Sequence, residues 1–254
     1  MLLGACATPP AAQPPAPPPP RSDLHLPPYI RNGFEPFSRA TAVAVALREW
    51  RAFGNVVNDD PPGRSLPGTF RPDQAPGMWQ RVADYWWSSQ DYGASQGDWS
   101  SLYNENGTPY VKDAPAWSAA FISYIMRVAG AGGAFPYTPL HADYINAAAR
   151  NEGALRAERP ETYAPQQGDL ICYGRLAARD LKFDDLPATR FFGHCDIVVA
   201  VAPGALTVIG GNVASAVTMK HIPITPKGML ATPDGLVLDS RYPWFVALRV
   251  QYAA

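Results

Sequence analysis

The chain has 254 residues, with 21 Lys+Arg against 22 Asp+Glu and a formal net charge of −1. That balance lacks the basic footprint of a nucleic-acid binder, while an apolar share of 47% with 11% aromatics is that of a core-forming chain. No run of about 18 apolar residues occurs, so no segment reads as a membrane-spanning helix.

The N-terminus reads as an address and a tether. Leu3-Gly4-Ala5-Cys6 resembles the site cut by lipoprotein signal peptidase, after which the cysteine carries lipid. Ala7 to Pro20 has no charge and eight prolines, a semi-rigid spacer of roughly 3 Å per residue. The expected organisation is a signal-peptide remnant over 1–5, a lipidated Cys6 with its tether over 6–30, and one α+β domain over 31–254. The lipid would be the only membrane contact. Ala7, where sorting signals for the inner membrane carry aspartate, implies a periplasmic domain held at the outer membrane.

Four helices are expected. Phe37 to Phe53 places Ala, Val and Leu on one face and stops at Gly54. Asn58 to Pro76, rich in Pro, Gly and Asp, reads as a long loop. Met78 to Gln90 carries Trp79, Val82, Ala83, Trp86 and Trp87 at helical spacing, as packing groups or as a sugar-stacking platform. The third helix has Asp113 as its cap, Pro115 in its first turn, an apolar stripe from Trp117 to Val128, and Gly130 as its end. The fourth begins at Thr138-Pro139 and runs through His141 and Tyr144 towards Arg150.

After Pro160 the texture becomes strand-like, over 169–174, 195–202, 206–210, 216–222 and 245–252. Helices followed by an antiparallel sheet of about five strands is an α+β arrangement. Cys172 and Cys195 are either a disulfide, which an oxidising compartment permits, or two buried thiols.

Three positions combine into candidate chemistry. Ser118 lies in the first turn of the buried third helix, where free N–H groups and the helix dipole favour developing negative charge. His194 opens a strand, and Asn212 follows Gly210-Gly211 on its hairpin partner. A three-residue loop at 202–204 pairs 201 with 205 and sets His194 opposite Asn212; a two-residue loop would put them on opposite faces. The odd-length loop is therefore the expectation. Asp196 shares His194's face in every case and is the rival orienting group. His141-Ala142-Asp143 and His194-Cys195-Asp196 form a weaker alternative, a zinc site. Each feature also has a structural explanation: serine satisfies N–H groups in helix starts, and asparagine after Gly-Gly serves turns.

The run Ala114-Pro115-Ala116-Trp117-Ser118-Ala119-Ala120-Phe121 resembles the nucleophile helix of the NlpC-type and CHAP cell-wall peptidases. Gln167-Gly168-Asp169-Leu170-Ile171 resembles their first core strand, Gly193-His194-Cys195-Asp196-Ile197 their histidine strand, and Ile209-Gly210-Gly211-Asn212-Val213 the strand of their third polar residue. The set is more similar still to an uncharacterised family of bacterial lipoproteins with serine at the nucleophile position. The resemblance implies a papain-like core over 111–254, preceded by a helical extension over 31–110. It also implies cleavage of amide bonds in peptidoglycan peptides, with Ser118 as nucleophile, His194 as base and Asn212 orienting it. Trp117, His141 and Tyr144 would line the groove, and no cofactor or metal is implied. Those peptidases use cysteine where this chain has Ser118, and serine must lose its proton during attack rather than rest as an anion. The alternative is a catalytically inactive domain that binds peptidoglycan or a partner protein through the same groove.

Overall fold

Ser38 opens the first described helix by accepting the N–H of Thr41, and α1 runs over Arg39–Ala52. The computed structural model describes residues 36–60, 71–89 and 116–253. The expectations for Cys6, the tether, Asp113 and Pro115 lie outside the described residues. α1 ends at Phe53, with Gly54 in the left-handed conformation that glycine adopts without strain. α2 spans Met78–Ser88, α3 Ser118–Val128 and α4 His141–Ala149. α3 starts at Ser118 with Trp117 as its N-cap, later in the chain than a cap at Asp113 would set it.

The first three helices are pinned by one buried carboxylate. Glu49 of α1 accepts Arg81 Nη1 at 2.8 Å and the Tyr85 hydroxyl at 2.6 Å from α2, and Arg48 Nε at 2.8 Å. Arg48 also donates to Tyr124 of α3. A fully buried charge persists only when paired and hydrogen-bonded in this way.

Among the described residues the sheet has six strands, paired antiparallel: β1 (Leu155–Glu158), β2 (Leu170–Gly174), β3 (Gly193–Ala202), β4 (Ala205–Val213), β5 (Ala216–Pro223) and β6 (Trp244–Val250). Their order is β1-β6-β2-β3-β4-β5, so the last strand inserts between the first two. The fold is α+β as expected, with one strand more than the sequence suggested. β1, Leu-Arg-Ala-Glu, is an edge strand with only Leu155 buried, too short and polar to carry a periodic signal.

Strand alternation divides the core in two. Cys172, Cys195, Ile197, Val199 and Ile209 join the helices in the larger cluster. Ile171, Tyr173, Val198, Val208 and Trp244 form a second cluster. Cys172 and Cys195 are directly paired across β2 and β3 and form a disulfide.

The β3–β4 hairpin corrects the loop expectation. Ala202 pairs with Ala205, so the loop is the two-residue turn Pro203-Gly204. A two-residue loop alone would have separated the faces of His194 and Asn212. A register shift between Val198 and Ala200 inserts one extra residue in β3, and the pairing becomes Val198 with Val208 and Ile197 with Ile209. The bulge restores the register that the longer loop was expected to supply.

Candidate active site

Ser118 is the first residue of α3, and the first intrahelical bond there runs from the Phe121 N–H to the Trp117 carbonyl at 3.0 Å. The N–H groups of Ser118, Ala119 and Ala120 therefore have no acceptor within the helix. Ser118 Oγ lies 2.7 Å from Nε2 of His141, the first residue of α4. A latch between the helices sets that distance. Ser123 Oγ of α3 donates to the Thr138 carbonyl at 2.9 Å and accepts the Thr138 N–H at 3.2 Å. Thr138 Oγ1 in turn accepts the Leu140 N–H and donates to Asp143 Oδ2, fixing the entry into α4.

On its far side, His141 Nδ1 meets the Tyr144 hydroxyl. Tyr144 is completely buried, and burial, followed by the charges of Asp196 and Asp143, pushes its ionisation well above the usual phenol range. A buried hydroxyl needs an acceptor for its proton, and the acceptor at hand is His141 Nδ1. This hydrogen-bond network assigns the His141 proton to Nε2, so that His141 donates to Ser118. Burial also drives His141 far below the ordinary imidazole range, with His194 adding to the depression and Asp196 opposing it. The ring is neutral at pH 7.

The second imidazole comes from the sheet. His194 pairs with Tyr173 across β2–β3, and its ring centroid lies 5.3 Å from that of His141. Its Nε2 is 3.0 Å from Asp196 Oδ1, and Asp196 Oδ2 is 2.6 Å from Lys220 Nζ of β5. Burial would raise the Asp196 carboxyl, but Lys220 and then His194 outweigh it and hold it well below the usual carboxylate range. Burial lowers His194, while Asp196 partly restores it. Since Nε2–H donates to a carboxylate, Nδ1 is the unprotonated nitrogen of His194.

Gly210 makes this possible. A Cβ there would stand 1.8 Å from Asp196 Oδ1 and 3.0 Å from His194 Nε2. At Gly211 a Cβ would meet Phe121 Cβ of α3 at 2.6 Å. The pair of glycines thus admits the carboxylate on one side and α3 on the other.

The structure brings Ser118, His141, Tyr144, His194 and Asp196 into one buried cluster. It does not join Ser118 to His194 by a hydrogen bond: the imidazole on Ser118 is His141. It does not join Asn212 to His194 either. Asn212 has φ 57° within the irregular β4–β5 pairing between Gly210 and Val213, and the carboxylate bonded to His194 is that of Asp196. Trp117 is packed against Phe53 with centroids 5.9 Å apart, and its indole N–H bonds Asp73, so its ring belongs to the core and not to a groove. Asp143 is exposed and bonded to Thr138, and no bond joins it to the His194–Asp196 pair among the described residues. No group of three or more His, Cys, Asp or Glu side chains suited to a metal occurs among the described residues. His221 is exposed and bonds Asp59.

Lys220 was missed by sequence reasoning. Its signal was present: Ala216, Thr218, Lys220 and Ile222 share the inward face of β5, and all are buried. Ser123 and Thr138 carried no such signal, because the latch depends on how α3 and α4 meet.

No helix among the described residues is long and apolar enough to cross a membrane. Residues 73–250 match a family described as an uncharacterized protein conserved in bacteria (DUF2272). No curated protein and no solved structure matches the chain.

Proposed function

The chain belongs to this DUF2272 family of bacteria, and we propose that it is a serine hydrolase acting on amide bonds of peptidoglycan peptides. The observation that carries the reading is the Ser118 hydroxyl, 2.7 Å from an imidazole at the N-terminus of a buried helix, beside a second imidazole oriented by a carboxylate. In the proposed reaction the Ser118 hydroxyl turns from His141 to His194, and Ser118 Oγ attacks the scissile carbonyl as its proton passes to His194 Nδ1, the open basic nitrogen. The oxyanion is received by the free N–H groups of α3. The protonated imidazole then gives its proton to the departing amine, and water hydrolyses the ester on Ser118 by the same steps reversed in role. The amide and peptidoglycan assignments rest on the resemblance of the Ser118, His194 and Gly210 segments to cell-wall peptidases. A periplasmic site with a lipid at Cys6 is part of the same proposal, and the Cys172–Cys195 disulfide suits an oxidising compartment.

The test is an alkyl fluorophosphonate. An adduct on Ser118, lost in His194→Ala, together with peptide release from purified sacculi, supports the hydrolase. No adduct and no release at any pH between 6 and 9 removes it.

A second reading has its own observation. The His141 tautomer set by Tyr144 donates to Ser118 and so does not activate it. That arrangement favours a catalytically inactive domain that binds peptidoglycan or a partner protein. Retention on sacculi without release of fragments, unchanged in Ser118→Ala, would favour it over the hydrolase.

A further inference from the structure

We propose that Lys220 is a positioning residue that keeps His194 an uncharged base while its orienting carboxylate stays ionised; the idea rests on the hydrolase reading for its purpose but not for its test. A lone buried Asp–His pair presents a conflict. The carboxylate that orients the ring also stabilises imidazolium, and a ring already protonated cannot accept the nucleophile's proton.

Lys220 resolves that conflict by geometry. Its side chain is completely buried, and Nζ lies 2.6 Å from Asp196 Oδ2, the oxygen that His194 does not use. Neither Nζ nor Oδ2 has a further hydrogen-bond partner among the described residues, so the two charges face each other. Nζ is also 4.8 Å from the Tyr242 ring centroid and 5.9 Å from those of Tyr173 and Trp244. Three aromatic faces thus replace part of the lost water around the ammonium. The groups around His194 are His141 from α4, Tyr173 and Arg175 at the end of β2, Asp196 on its own strand and Lys220 from β5. Among the described residues Asp196 is the one nearby anion pulling a proton onto His194, and Lys220 neutralises it. Lys220 and Arg175 both act to lower His194's proton affinity, and Asp196 to raise it.

The experiment follows the imidazole nitrogens by ¹⁵N NMR in the full chain, wild type against Lys220→Met and Lys220→Arg. The wild type is expected to show a neutral His194 with its proton on Nε2 at pH 7. In Lys220→Met the His194 titration midpoint should rise by about one pH unit or more, as an uncompensated carboxylate beside the ring demands, and Lys220→Arg should restore the wild-type midpoint. A midpoint unmoved in Lys220→Met overturns the proposal, since a merely structural lysine would not shift it. If that variant does not fold, Lys220→Met with Asp196→Asn removes both charges together. With the pulling and the neutralising charge both gone, the His194 midpoint is expected near the wild-type value, and a midpoint displaced by about one pH unit or more overturns the proposal. Fluorophosphonate labelling is the separate control: absence of labelling in the wild type defeats the hydrolase reading, while the NMR titration still decides the role of Lys220.

Discussion

The two halves of the site are built from different materials. On the helical side Ser118, His141 and Tyr144 form a chain of neutral groups, held by hydrogen bonds between α3 and α4. On the sheet side a neutral His194 is bonded to the Asp196–Lys220 charge pair, held between β3 and β5. Both are almost fully buried. Burial penalises a neutral group only if it lacks a partner, but it penalises a charge severely once its counter-charge is removed. The helical half should therefore tolerate deletion, and the sheet half should not.

The largest expected effect follows from that contrast. Lys220→Met leaves the buried Asp196 carboxylate without its cation and should cost about 3–5 kcal/mol in urea unfolding. Ser118→Ala removes one neutral hydrogen bond and should cost about 1 kcal/mol. Equal losses in the two variants would erase the distinction between the halves. Gly210→Ala comes next. Its Cβ, 1.8 Å from Asp196 Oδ1, must push the carboxylate off His194. The expected cost is about 1–3 kcal/mol, with the His194 tautomer lost by NMR. A stable variant with an unchanged tautomer would show that the backbone there yields.

How much of this was legible in the sequence follows the same division. Local patterning exposed α1 to α4 and five strands, because apolar period and glycine stops are written within single segments. β1 was hidden by its brevity and its edge position. The shared face of His194 and Asp196 needed only alternation along one strand. The link from Ser118 to His141 depends instead on the angle between α3 and α4, which is fixed by the Ser123–Thr138 latch, and no spacing encodes that. The hairpin shows both limits at once. Pro203-Gly204 marked the turn, but the bulge near Val199 shifts the register within a plain run of valine and alanine. Asn212 attracted attention by following two glycines, whereas the glycines themselves make the room that Asp196 and Phe121 occupy.

Tyr144→Phe sharpens the comparison further. It removes the hydroxyl that assigns the His141 proton to Nε2, at a cost of about 1 kcal/mol. Either His141 tautomer then becomes available, including the one that accepts from Ser118. If Ser118 is a nucleophile restrained by this network, labelling by fluorophosphonate should become faster in the variant. Slower labelling would instead mark Tyr144 as a support of the reactive arrangement.

The smallest effect concerns acid. Both imidazoles are depressed, burial being the largest cause in each, so below the unfolded value of about 6.5 the unfolded chain binds protons that the folded chain refuses. Their contribution to stability is fully present above that pH and is lost as the pH falls through it. Asp84 on α2 acts in the opposite sense. Burial, with Glu49 adding to it, raises its carboxyl to about 6, so the folded chain holds a proton that the unfolded one releases. Stability from Asp84 therefore grows as the pH falls through about 6, masking part of the histidine loss. Asp84→Asn should steepen the fall in urea midpoint between pH 7 and pH 5. His141→Asn should flatten it more than His194→Asn does, because Asp196 offsets the burial of His194 directly, whereas no carboxylate among the described residues bonds the His141 ring. Equal flattening by the two variants would mean that the carboxylate does not distinguish the sheet-borne imidazole from the helix-borne one.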